Sequence, residues 1–171
     1  MTPRSDEAAA LSSGVAARVP LWMLALITLS GTLALHIFVP ALPDAGAELG
    51  ASAGSMQLTL SFYIGGLALG QLIYGPVSDH FGRRPVLIGG MVVYALAGFA
   101  ALLAPTVRML IAARLLQALG GCAGLVLGRA IVRDSASGGD AARKLSLMNM
   151  MVIVGPGLAP LIGSGLALIA G

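Results

Sequence analysis

Five apolar runs, each long enough to cross a bilayer, leave this chain few other ways to fold. They lie at about Leu21–Leu42, Met56–Val77, Val86–Leu103, Met109–Val132 and Ser146–Ala170. Roughly 20 apolar residues in helical form span the hydrocarbon core, and a helix in lipid satisfies its own backbone polar groups. The expected fold is all-α: a polytopic membrane protein with five transmembrane helices over 21–171, after a polar, small-residue-rich cytoplasmic tail over 1–20. Hydrophobic residues make up 57% of the sequence, whereas soluble domains hold about 45–50%, so an ordinary soluble domain is excluded. The first run also exceeds the ~7–15-residue core of a signal peptide, and it reads as an uncleaved helix although Ala45-Gly46-Ala47 offers a small-residue site.

The charges fall between the runs. Arg4 and Arg18 precede the first, Arg83 and Arg84 follow the second, and Arg143 and Lys144 precede the fifth, while Arg108 stands alone on the other side. Basic residues concentrate on the cytoplasmic side of membrane proteins, so the N-terminus is expected in the cytoplasm and Gly171 outside, across an inner membrane. The net charge of +3 forms no basic face with interleaved aromatics, and nucleic acid is not an expected partner. One cysteine, Cys122, rules out a disulfide framework, and two histidines, His36 and His80, supply no metal set. With no nucleophile–base pair, phosphate-cradling loop or paired carboxylates, neither an enzyme nor a cofactor is expected.

Polar residues inside the runs mark candidate sites. His36 is the only ionisable side chain of the first run. It is either a functional group at membrane depth or an interfacial histidine reaching for headgroups. Tyr63 is either an aromatic interface anchor or a cavity-facing residue, the latter being preferred. Arg114 and Gln117 are one turn apart in the fourth run. An arginine there costs at least ~2.5–3.5 kcal/mol on insertion scales unless it faces protein or water, so the pair points to a polar cavity rather than a snorkelling side chain. Gly66 and Gly70, and then Gly120, Gly124 and Gly128, have the four-residue spacing of a smooth packing stripe. Pro40 and Pro43 are expected to break the first helix and Pro105 to end the third, whose apolar surface is expected to face lipid. Pro156 and Pro160 should bend or unwind the fifth, and Met148, Met150 and Met151 at its start read as adaptable packing.

The most concentrated motif is Gly75 to Pro85, G-P-V-S-D-H-F-G-R-R-P, expected as a cytoplasmic loop between the second and third helices. Its Gly75, Ser78, Asp79, Gly82, Arg83 and Arg84 resemble the loop signature of the major facilitator superfamily, departing at His80 where the family usually has arginine. Arg114, Gln117 and Gly120 resemble that superfamily's fourth-helix signature, associated with proton transfer. Gly155-Pro156 with Gly163 is similar to the Gly-Pro motif of its drug:proton antiporters, although Ala159-Pro160 departs from the glycine spacing. V-P-A-L-P at Val39–Pro43, G-P-V-S-D at Gly75–Asp79 and R-A-I-V-R-D at Arg129–Asp134 together resemble the bicyclomycin-resistance (Bcr/CflA) branch.

The resemblance implies the N-terminal half of a multidrug exporter that moves drugs or other small molecules outward against protons, with the proton gradient as energy source. It implies a gating role for Gly75, Asp79, Gly82, Arg83, Arg84 and Asp134, with Arg83 paired to Asp134 and Asp79 latching onto the opposite half. It implies proton coupling or cavity lining for His36, Tyr63, Arg114 and Gln117, and an antiporter helix at Gly155, Pro156, Pro160 and Gly163. His36 stands where many of the branch carry an acid; facing Arg114, it would lose proton affinity. The sixth helix and the second half are absent from this sequence, and that second half is the expected partner alongside substrate, protons and membrane lipid. The alternative reading is a truncated, non-transporting membrane remnant or membrane-interaction protein.

Overall fold

The computed structural model of the chain describes residues 20–135 and 138–170, apart from the side chains at 135, 138, 155–156, 158–164 and 166–170. The expected tail over 1–20 lies, except for Pro20, outside the described residues. Among the described residues all regular structure is helical: α1 Leu21–Glu48, α2 Ala53–Phe81, α3 Arg83–Leu102, α4 Val107–Ser135 and α5 Gly138–Ala170. The first four are long and apolar enough to cross a membrane, and α5 is longer still at 33 residues.

α4 is the axis of the bundle. It packs on α1, α2 and α3, while α5 lies mainly along α1. Of the most apolar stretch of α4, 61% is buried, against 17–28% for α1 to α3. The outer faces stay apolar: Leu72, Leu96, Phe99 and Leu102 are each more than half exposed. Such a surface is untenable in water and natural in lipid. α3 accordingly presents Ile88, Val92 and Phe99 outward, as its composition suggested, while Leu87, Gly90 and Ala97 are buried and Tyr94 reaches the site described below.

Lipid offers no hydrophobic drive between helices, so close backbone approach and van der Waals contact must hold them. Gly66 faces Leu115 and Ala118, and Gly70 faces Cys122, so the small pair on α2 meets α4 as its spacing suggested. The α4 stripe serves two partners rather than one: Gly120 meets Gly90 and Tyr94 of α3, whereas Gly124 and Gly128 meet Ile27 and Thr28 of α1. The reason is geometric. At 3.6 residues per turn, positions four apart drift by about 40°, and two steps rotate the stripe from one neighbour to the next. α1 also comes close at Gly121, where an added Cβ would lie 3.0 Å from the Cα of Gly31.

The helix boundaries correct three expectations. α1 does not break at Pro40–Pro43 but runs through both to Glu48. Each proline removes only its own amide donor, and the remaining bonds carry the helix on. It stops where the amide of Ala51 reaches the carbonyl of Gly46 at 2.9 Å and that of Gly50 reaches Ala47 at 3.2 Å. This is a Schellman ending, and Gly50 supplies its left-handed residue at φ +58°. Second, Gly75 to Pro85 is not a loop. α2 passes through Pro76 to Phe81, and α3 begins at Arg83. The reversal rests on Gly82 alone, at φ 90° and ψ 150°, a conformation open to glycine and strained for other residues. Pro85 follows in the first turn of α3, where its missing donor has no partner to lose. Third, α5 is helical through Pro156 and Pro160, so of the bend or unwinding expected there the unwinding does not occur. Met148 is fully buried with Leu24, Ala25 and Val132, as the packing reading requires, while Met150 and Met151 are exposed.

Candidate functional site

The sequence places one permanent cation inside the bundle, and the fold surrounds it. Arg114 is 4% exposed. Its Nη1 donates to Gln117 Oε1 at 2.9 Å, one turn along α4, and its Nη2 donates to the Ala34 carbonyl of α1 at 3.2 Å. A helical carbonyl has a second lone pair beyond its intrahelical bond, so Ala34 can accept without breaking α1. The guanidinium carbon lies 4.2 Å from the centre of the Phe38 ring and 4.5 Å from that of Tyr63. Two π-faces thus replace part of the hydration the cation has lost. The Nε of Arg114 is buried and has no hydrogen-bond partner among the described residues.

Tyrosines from two helices pin α1 beside this cation. Tyr63 of α2 is fully buried and donates its hydroxyl to the Gly31 carbonyl at 2.6 Å. Tyr94 of α3 donates to the neighbouring Ser30 carbonyl at 2.9 Å. Tyr63 is therefore inside the bundle, not anchored at an interface. Gln117 keeps its place because Gly98 has no side chain: a Cβ there would sit 2.9 Å from the Gln117 amide nitrogen. A cavity of about 410 Å³ opens at the cation, lined by Ser30, Leu33, Phe38, Tyr94, Arg114 and Gln117 among others.

His36 is not brought to this cavity. Its Nδ1 lies 2.7 Å from the Thr32 carbonyl of its own helix, so that nitrogen carries the hydrogen. It is half-buried and absent from the cavity wall. Residues 34 and 38 reach Arg114, and position 36 lies about 200° around the helix from either. His36 and Arg114 therefore do not face each other.

The second grouping lies where α2, α3 and α4 end or begin on one side of the bundle. Arg83 bonds Asp134 through Nε at 3.3 Å, pairs with Asp79 at 2.7 Å, and also donates to the Ser78 hydroxyl. One guanidinium therefore ties the end of α2 to the end of α4 across the Gly82 joint. Arg84 is exposed, and no side chain meets the open face at Gly75. His80 sets its ring edge against Phe81, with centroids 4.8 Å apart. Asp79 and Asp134 are 64% and 54% exposed, so solvent screens the pairs. Double-mutant analysis of Arg83 and Asp134 should return a coupling of about 0.2–1 kcal/mol, falling as salt rises, measured by thermal unfolding in detergent. At the start of α5 the hydrogen bond from Lys144, 2.8 Å away, holds the exposed Asp140 carboxyl below its ordinary range.

The antiporter-helix residues Gly155, Pro156, Pro160 and Gly163 fall within α5, but their surroundings lie outside the described residues.

A multi-helix membrane bundle with a buried, aromatic-flanked cation at its centre and an ionic clamp at one end is the class of molecule defined so far. The chain belongs to the Major Facilitator Superfamily, whose family profile matches residues 24–171. It is similar to an uncharacterized MFS-type transporter, YdgK, of Bacillus subtilis, at 38% identity over 86% of this chain and 37% of the relative. It also resembles multidrug resistance protein D of Escherichia coli, at 38% identity over 84% of this chain and 36% of that protein. A chloramphenicol resistance protein of Pseudomonas aeruginosa is 35% identical over 83% of this chain and 34% of its own length. The chain spans about a third of the length of these curated relatives.

Five contributors to the cation site escape sequence reading: Phe38, Gly31, Ala34, Gly98 and Tyr94. Only Tyr94 left a signal, as the lone aromatic hydroxyl of the third apolar run. The others are apolar residues or glycines in apolar runs, and only a neighbouring helix gives them a role.

Proposed function

We propose that this chain is the N-terminal part of a proton-coupled exporter of drugs or other small molecules, of the bicyclomycin-resistance branch, in the inner membrane with its N-terminus cytoplasmic. The observation that carries the reading is Arg114, a desolvated cation held by Gln117, Ala34, Phe38 and Tyr63 beside a cavity. Maintaining a charge at that depth is costly for structure alone and useful where charge must cross the membrane. The drug-resistance names of two relatives favour export as the direction of transport. Arg83 and Arg84 directly after the α2–α3 joint, with Arg143 and Lys144 at the start of α5, favour the stated orientation.

In this reading Arg114, Gln117 and Tyr63 form the coupling and cavity group. The Arg83–Asp79–Asp134 cluster works as a gate, holding the joint at Gly82 against α4 until the opposite half draws Asp79 away. The second half of the transporter is then the partner that closes the cavity. The test is efflux of chloramphenicol from a bacterium lacking its own exporters, with and without a protonophore, using the full-length natural chain. Export that stops on collapsing the gradient supports the proposal; resistance unchanged from the empty vector overturns it. In the same assay Asp79→Ala should abolish export while membrane levels stay normal, and unchanged export would sink the gating role of Asp79.

A further inference from the structure

We propose that the cavity beside Arg114 takes a ligand with an anionic or acceptor-rich head on a flat apolar body, and that it rejects lipophilic cations. This rests on the export reading for its biological purpose, but not for the binding itself. The first observation is charge without counter-charge. Every acid among the described residues, Asp44, Glu48, Asp79, Asp134 and Asp140, stands near a helix end. The nearest along α1, Asp44, is ten positions beyond Ala34, roughly 15 Å at helical rise. What touches the guanidinium instead is neutral: an amide oxygen, a backbone carbonyl and two rings. Arg114 is thus satisfied in part by hydrogen bonds and left whole in charge.

The second observation is a free donor. The buried Nε–H of Arg114 has no acceptor among the described residues, and Arg114 lines the cavity. A ligand carboxylate drawn to the guanidinium would supply the missing charge, and a carboxylate or nitro oxygen would supply the missing acceptor once the side chain turns its Nε–H toward the cavity. The third is the wall. Leu33, Ile37, Phe38 and Ala41 of α1 line the same space, giving an apolar bed for a ring system, and the volume of about 410 Å³ lies within the usual ~300–1,000 Å³ of small-molecule sites. A cationic ligand in that bed meets an uncompensated like charge, and specificity follows from that repulsion as much as from attraction.

The experiment uses two probes of similar size and opposite charge, 2-naphthoate and 2-naphthylmethylammonium, on the full-length natural chain in phosphatidylcholine nanodiscs. Binding is read by ligand fluorescence against empty discs. Naphthoate is expected to bind at least tenfold more tightly than the ammonium probe, and Arg114→Gln to erase the preference. Equal binding of the two probes, or naphthoate affinity unchanged in Arg114→Gln, overturns the proposal. If Arg114→Gln loses its helical signal, Ala41→Phe decides. It fills the cavity from α1 without touching the arginine's hydrogen bonds, and naphthoate binding that survives it equally overturns the proposal. Chloramphenicol efflux is measured on the same preparations in proteoliposomes. Absent efflux with the naphthoate preference intact defeats the export reading alone, whereas efflux without the preference defeats this inference alone.

Discussion

An Arg114→Met chain is expected to reach the membrane at normal levels and to export nothing. Methionine matches the unbranched stem of arginine and keeps contact with the rings of Phe38 and Tyr63, so the site is not left hollow. Insertion should not suffer, because a central arginine costs ~2.5–3.5 kcal/mol on insertion scales and methionine relieves that cost. What is lost is the charge and both guanidinium hydrogen bonds, to Gln117 and Ala34. Leaving the Gln117 oxygen unpaired costs about 1–3 kcal/mol, comparable to the gain, so stability should change little while transport fails. Arg114→Lys should also fail, since a point-like ammonium cannot hold two acceptors in different directions while lying flat between two rings. Protein level by immunoblot and drug efflux in the same cells separate the two effects. Efflux retained in the methionine variant would show that the buried charge serves packing alone.

Gly120→Val should damage the bundle more than any other single glycine change on α4's α3-facing side. An added Cβ at Gly120 would lie 2.6 Å from the Gly90 carbonyl oxygen and 2.8 Å from the Tyr94 Cα. Both are backbone atoms, so no rotamer change relieves the clash and α3 must move outward. Overpacking of this kind costs about 1–3 kcal/mol and occasionally more, and a β-branched side chain against backbone belongs at the upper end. Displacing α3 would also draw Tyr94 from the Ser30 carbonyl, which it reaches at 2.9 Å. The control is Gly65→Val on α2, where no heavy atom lies within 4 Å of an added Cβ. Thermal unfolding in detergent should show a clear fall in Tm for Gly120→Val and almost none for Gly65→Val. Equal Tm values would mean that the α3–α4 contact tolerates separation and that the small residues there do not set the packing distance.

These two variants also show how legible the molecule was before folding. Arg114 and Gln117 could be singled out because an arginine in an apolar run is expensive wherever it lies, and their spacing alone put them on one face. The Arg83–Asp134 pair was likewise foreseen, as the family resemblance implied, and it forms at 3.3 Å. Helix ends were read less well. Pro40 and Pro43 looked like a stop and are not, because a proline removes one donor while neighbouring bonds persist; the actual stop at Gly50 needed only one left-handed residue. The motif from Gly75 to Pro85 looked like a loop because it is polar, yet its polarity sits on two helix ends meeting at Gly82.

The sequence by itself determined the number of the helices, their apolar outer faces, and which few charges had to be accommodated. Those follow from local chemistry: hydropathy over about 20 residues, and the cost of a charge in lipid. Only the tertiary structure decided which helix stands at the centre, that Gly120 serves α3 while Gly124 and Gly128 serve α1, that His36 faces away from Arg114, and that Phe38, Tyr63 and Tyr94 enclose the site from three helices. Each of these depends on the rotation of one helix about its axis relative to another. In a chain apolar on nearly every face, hydropathy carries almost no information about that rotation; close contact between small residues and a handful of hydrogen bonds set it instead.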